Sequence, residues 1–222
     1  MYVLWLMITT AMIAGCPAAG YVAAVIAGPE KVPAMYHLPA KRTLILVDDP
    51  EHQLGNPALT NNIAAMTGEF LIQNKSEAQD FVSVSKLSDL ASQLGNDYFA
   101  MPIDSIARKL QAQQVIHVYI ETVAMQYGAA MYRPTAVVQV KVIDVETGNR
   151  TFPRPGPLRE GLPQPGHKLV VQMDYQNIDD ESRTNRNIIT GKLAEQIARD
   201  VSRLFYQWEM PGPGSSLRKK DQ

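Results

Sequence analysis

The chain has 222 residues, 45% of them hydrophobic, with 21 Lys and Arg against 22 Asp and Glu for a formal net charge of −1. That size and hydrophobic content fit one packed domain rather than a disordered chain, and the charge balance lacks the basic excess of a nucleic-acid binder. The single cysteine, Cys16, excludes an internal disulfide and a cysteine-built zinc cluster.

Residues 1–29 carry no charged side chain; the first is Glu30. The apolar run ends in Ile13-Ala14-Gly15-Cys16, an aliphatic residue and two small residues before a cysteine. That is the pattern of a bacterial lipoprotein signal peptide: the small residues admit a peptidase to the backbone and the thiol accepts a diacylglycerol. The expectation is a signal peptide over 1–15, a mature chain starting at lipidated Cys16, and a stalk over 16–42. The other reading is an uncleaved membrane anchor, since the uncharged stretch exceeds the ~20 residues needed to cross a bilayer. Pro17 and Gly20 interrupt such a span, and the apolar part before Cys16 has the length of a signal core. Against the lipoprotein reading, no Lys or Arg precedes the apolar core.

Pro29, Pro33 and Pro39 preclude a helix in the stalk, although 32–38 can run extended at a sheet edge. Thr43-Leu44-Ile45-Leu46-Val47 is a continuous β-branched and apolar run, the mark of a strand buried on both faces. A helix is predicted over 62–73, capped by Thr60 or Asn61, with Ile63, Met66 and Phe70 at helical spacing. Phe81-Val82-Ser83-Val84 reads as a short strand, followed by a helix capped by Ser85, with Leu87, Leu90 and Leu94 inward and Gly95 closing it. A further helix opens at Asp104 with Ile106, Ala107 and Leu110 on one face.

Residues 115–123 alternate, with Ile116, Val118 and Ile120 inward and His117, Tyr119 and Glu121 on the other face. Residues 135–145 run into Glu146-Thr147-Gly148-Asn149, a strong hairpin signal. The returning strand starts near 150–152, is interrupted by a Pro-rich insert over 153–167 and resumes over 168–173. The last helix is expected from 183 to 208, with Ile189, Leu193, Ile197, Val201, Leu204, Phe205 and Trp208 recurring every three or four residues. Residues 209–222 read as a disordered tail. The fold class is therefore α/β: a domain over 43–208 with a mixed β-sheet of about five strands and helices packed on it, as a two-layer or three-layer sandwich.

The opening strand 44–49, the helix 63–71, the helix-to-strand segment 104–116 and the Asp144-Val145-Glu146-Thr147-Gly148 turn together resemble a group of bacterial envelope domains. The group includes the CsgG curli-secretion lipoprotein, LpoB-type activators of penicillin-binding proteins, the GNA1162 lipoproteins and the N-terminal domain of TolB. The likeness covers roughly residues 43–208. It implies a non-enzymatic envelope protein that works through protein contacts, and it transfers no catalytic residue.

Asp48, Asp49, Glu51 and His52 form the densest cluster of ligand-type side chains, at the carboxyl end of a buried strand where open α/β sheets often bind ligands. The plainer reading is a solvated loop in which Asp49-Pro50 turns the chain. His117 and Glu121 share a strand face but sit ~13 Å apart along it, too far for a direct acid/base pair. Phosphate-loop, nucleophile-elbow, zinc-protease and dinucleotide motifs are absent from the sequence. In the last helix Phe205, Tyr206 and Trp208 are either partner anchors or core.

The expectation is a lipid-anchored envelope protein without catalytic, cofactor or metal sites. It is held to the membrane through lipid on Cys16 and docks an envelope partner, with homo-oligomerisation open and no nucleic-acid partner. The alternative is an extracytoplasmic ligand- or metal-binding domain using the Asp48–His52 loop, or an N-terminally anchored enzyme.

Overall fold

The computed structural model describes residues 30–127, 132–154, 165–173 and 186–210. Cys16, the 1–15 segment, most of the Pro-rich insert and the tail beyond 210 lie outside the described residues. The chain divides into two compact units, Ala34–Tyr206 and a smaller one formed by Met1–Pro33 with Gln207–Gln222. In the described part of the smaller unit, β1 (Lys31–Val32) pairs antiparallel with a strand at Trp208–Glu209, and Met210 N–H donates to the Glu30 carbonyl at 2.8 Å.

The larger unit is built on a five-stranded mixed sheet. β2 (Thr43–Asp48) runs parallel to β3 (Gln114–Tyr127), which forms a long antiparallel pair with β4 (Tyr132–Asp144). The far side of β4 pairs with two short strands in succession, β5 (Arg150–Phe152) near the turn and β6 (His167–Gln172) further along. The interrupted returning strand inferred from the prolines is thus observed. The pairing of β3 and β4 shifts register between Ile120 and Thr122, a β-bulge at Glu121. Before it the even residues Ile116, Val118 and Ile120 are fully buried; after it Val123 stands opposite buried Ala136, so the inward set passes to odd numbers.

Helix α1 (Ala58–Gln73) starts four residues before the expected position. Asn56 Oδ1 accepts the Ala58 N–H and the Asn56 carbonyl accepts that of Leu59, while Pro57 already has helical dihedrals (φ −59°, ψ −25°). Asn-Pro therefore supplies the start, with proline preset for the first turn. Gly68 brings the helix against Ile45 and Phe81: a Cβ there would sit 3.6 Å from Ile45 Cδ1 and 3.7 Å from the Phe81 ring.

The strand expected at 81–84 does not form. Phe81 makes one parallel bridge to Thr43, held by Thr43 N–H to Asp80 and Val82 N–H to Thr43, and the chain then enters α2 (Val84–Leu94). A four-residue apolar run fits strand or helix equally by pattern. Here Leu87, Leu90 and Leu94 at helical spacing decide, with Val82 and Leu87 buried against Leu44 and Leu46. Gly95 (φ +55°) closes α2 and leads to α3 (Asn96–Ala100) and α4 (Ile103–Lys109), whose Asp104–Arg108 pair spans 2.7 Å. Asp104 near the start and Lys109 at the end complement the helix dipole.

The last helix, α5 (Arg186–Arg203), buries Ile189, Leu193, Ile197 and Val201 completely. It ends five residues before Trp208, which belongs to the strand Trp208–Glu209, here β7. Leu204, Phe205 and Tyr206 are buried in the turn that follows, where the Leu204 carbonyl accepts N–H bonds from Met35 and Tyr36. Tyr36, Phe152 and Phe205 meet with ring centroids 5.4–6.5 Å apart, which docks the entry segment to the end of α5. Phe205 and Tyr206 are therefore core residues.

One face of the sheet lies under α1 and α5, which pack on each other and on β2, β4 and β6. On the other face Leu44, Leu46, Val115 and Val145 pack with Leu87, Ile106 and Ala107 of α2 and α4. The sandwich is three-layered at β2 and the start of β3. Further along, on the face opposite α5, Tyr119, Glu121, Gln139 and Lys141 are half-buried. Among the described residues, both architectures read from the sequence are present, in different parts of one sheet.

Candidate functional site

The carboxyl end of β2 places Asp48 beside β3, opposite Tyr119. The His117 Nε2 lies 2.7 Å from Asp48 Oδ2. The imidazole side chain is 9% exposed and the carboxylate 44%, so the pair offers its acid to solvent and hides its base. Burial, and then the Asp48 charge, push the Tyr98 phenol of α3 up from its ordinary value.

Asp49 serves its own loop. Its two oxygens accept the N–H groups of Gln53 and Leu54 at 2.8 and 3.0 Å, and the loop turns through His52 (φ 50°) and Gly55 (φ 70°). Glu51 and His52 are exposed. The four residues read as a ligand set are thus not gathered: one holds His117, one closes the loop and two face solvent. Among the described residues no group of three or more His, Cys, Asp or Glu side chains is placed to hold a metal ion. His117 and Glu121 also have separate partners, since Glu121 accepts from Gln139 Nε2 at 3.2 Å and pairs with Lys168 Nζ at 3.6 Å.

These contacts define a polar side of the sheet. Glu121, Gln139, Lys141 and Lys168 lie in adjacent rows of β3, β4 and β6, with Tyr119 and Asp48 beyond. Lys141 stands opposite His117, and burial followed by the charge of Arg150 holds its ammonium below the usual lysine range. Gln139 also accepts the Gly166 N–H at 3.0 Å, which seats the start of β6. β6 pairs only with β4 among the described strands, and its Lys168, Val170 and Gln172 are exposed, Val170 at 57%. Such an edge presents unpaired backbone groups to a further strand. The sequence carried a signal for this row, the polar Gln139 and Lys141 alternating with buried Val138, Val140 and Val142. The Asp48–His117 link was less visible, because it joins strands 69 residues apart.

No described helix is long and apolar enough to cross a membrane. No family model matches the sequence, and no curated protein matches it. Among solved structures the chain is similar to lipoprotein GNA1162 from Neisseria meningitidis, at 11% identity and a TM-score of 0.43, covering 72% of this chain and 98% of that one. It is similar to the PelC dodecamer from Paraburkholderia phytofirmans at 14% identity and a TM-score of 0.39, covering 80% of this chain and 96% of that one. The LpoB C-terminal domain from Salmonella enterica matches at 19% identity and a TM-score of 0.35, over 61% of this chain and 86% of that one. Two groups named from the sequence, GNA1162 and LpoB, are thus among the similar structures. At these levels the likeness transfers neither activity nor partner.

Proposed function

We propose that the chain is a lipid-anchored protein of the bacterial envelope, tethered through Cys16, whose α/β domain works by protein contact rather than catalysis. The observation that carries the contact reading is the β6 edge. It is paired on one side only among the described strands and stands next to the polar rows of β3 and β4. A partner strand added there gains main-chain hydrogen bonds, and the alternating side chains Lys168, Val170 and Gln172 set specificity. The tether rests on the Ile13-Ala14-Gly15-Cys16 pattern. Two lipid chains or more are needed for stable anchoring, each buried CH₂ contributing ~0.8 kcal/mol, and a triacylated Cys16 meets that need.

Fractionation of cells carrying Cys16→Ala tests the tether: the variant leaves the membrane fraction if Cys16 is lipidated, and wild-type detergent extraction in the variant overturns it. A photocrosslinking residue at Val170 tests the edge. A crosslinked envelope protein or a second copy of this chain supports the contact reading, and the absence of any adduct at Val170 removes it.

A further inference from the structure

We propose that the cleft between α2, α4 and the entry to β2 binds a phosphoryl group. The cleft has a volume of about 370 Å³ and presents Arg42, Lys86 and Lys109 against a single carboxylate, Asp89, over an apolar floor of Leu90 and Leu110. That volume falls within the range of small-ligand sites. The cations come from three elements: Arg42 precedes β2, Lys86 lies in the first turn of α2 and Lys109 ends α4.

Neither Lys86 nor Lys109 makes an ion pair among the described residues, whereas Lys41 and Arg108, the neighbours of Arg42 and Lys109 in sequence, are each paired with an aspartate. Among the described residues the Arg42 guanidinium pairs with Asp80 alone, at 4.0 Å, and that carboxylate is 64% exposed. The Arg42 Nε is buried and has no hydrogen-bond partner among the described residues. With the long contact to exposed Asp80 left aside, Asp89 against the three cations of the lining leaves an excess of two positive charges, which matches a phosphomonoester or pyrophosphate better than a single carboxylate. The planar guanidinium fork also suits phosphate oxygens, while the two ammonium groups act as point charges. Leu90 and Leu110 give room for an apolar substituent on the phosphoryl group. The chemistry is shared by a free phosphorylated molecule and by a phospholipid headgroup.

Calorimetric titration of the full chain in a non-ionic detergent tests this, with sodium pyrophosphate in one arm and dihexanoyl phosphatidate in the other. Saturable binding that weakens as salt rises is expected, reduced roughly tenfold for each cation removed in Lys86→Gln, Lys109→Gln and the double variant. Both lysines are exposed, so thermal melting stays at the wild-type value. Lys141→Gln on the sheet is the control and binds as wild type. Tighter binding of the phosphatidate assigns the cleft to a lipid headgroup, and equal or tighter binding of pyrophosphate to a free phosphorylated ligand. Failure of both ligands to saturate, or wild-type affinity in the double variant, overturns the proposal. Because the titration does not involve Cys16 or Val170, its outcome is independent of the tether and of the β6 edge.

Discussion

Lys41 and Asp144 join the entry of β2 to the end of β4, with Nζ 2.5 Å from Oδ2. The same carboxylate accepts the N–H and hydroxyl of Thr147 on its other oxygen, at 3.0 and 3.1 Å, so one side chain fixes both the hairpin turn and the first core strand. Gly148 completes the turn at φ +68°. An Asp-x-x-Thr-Gly turn is common in unrelated sheets; here the added lysine ties it to the rest of the domain.

That relationship predicts a pH dependence. Hydrogen bonds from Lys41 and then from the Thr147 backbone hold the Asp144 carboxyl down at about 2. A depressed folded-state value contributes stability that is complete above the ordinary ~3.9 of the unfolded chain and is lost as pH falls towards the folded value. Asp144→Asn keeps the Thr147 contact and loses the pair. With Lys41 over a third exposed, the loss is discounted to about 1 kcal/mol. Urea denaturation at pH 7 shows the difference, and it shrinks steadily between pH 4 and pH 2. A gap that persists at pH 2 contradicts the assignment.

The Asp48–His117 pair predicts an asymmetry between two substitutions. Asp48→Ala leaves a buried ring nitrogen unpartnered and costs about 1–2 kcal/mol, whereas Asp48→Asn retains an acceptor and costs less than half of that. The midpoint of denaturant unfolding distinguishes them. Equal losses would mean that the aspartate matters for its charge and not for the hydrogen bond at 2.7 Å.

Two glycines are expected to respond in opposite directions. A Cβ on Gly166 would meet the Val140 backbone N and O at 3.0 Å, and a β4 ladder cannot yield there as a flexible side chain can. Gly166→Ala therefore destabilises by about 1–3 kcal/mol. Gly191 lies inside α5 with nothing within 4 Å of a Cβ, so Gly191→Ala stabilises by about 0.5–1 kcal/mol. Thermal melting of the two variants checks both signs.

Core and edge differ just as sharply. Leu193 is fully buried on α5, and Leu193→Ala costs about 2–5 kcal/mol. Val170, 57% exposed on β6, changes stability by less than about 0.5 kcal/mol when replaced by Thr, which keeps the β-branched shape. Crosslinking at position 170 therefore reads contact rather than folding.

The elements that were legible in the sequence are those whose pattern has one solution. Thr43–Leu46 is buried throughout, the 144–152 hairpin forms, and Ile189, Leu193, Ile197 and Val201 bury as one stripe. The elements that differ from the sequence pattern have two solutions, decided by contacts remote in sequence. Phe81–Val84 fits a strand until Leu87 packs under Leu44, and Trp208 continues the α5 spacing yet pairs opposite Val32. The sites follow the same rule. Asp48 and His52 are neighbours in sequence, but Asp48 finds its partner across the sheet. The cations of the proposed phosphoryl cleft, Arg42, Lys86 and Lys109, carry no pattern in the sequence because they are dispersed along the chain and only the fold brings them together.

The bulge at Glu121 has a consequence for how the chain can vary in length. Since the inward set passes from Ile120 to Val123 there, removing Glu121 would leave Ile116, Val118 and Ile120 on the buried side and carry Val123 with them, the ladder simply becoming regular. Removing any single residue between Ile116 and Ile120 would instead turn one part of the strand inside out. The β3–β4 arm can therefore lose one residue at 121 without exchanging its dry and wet faces.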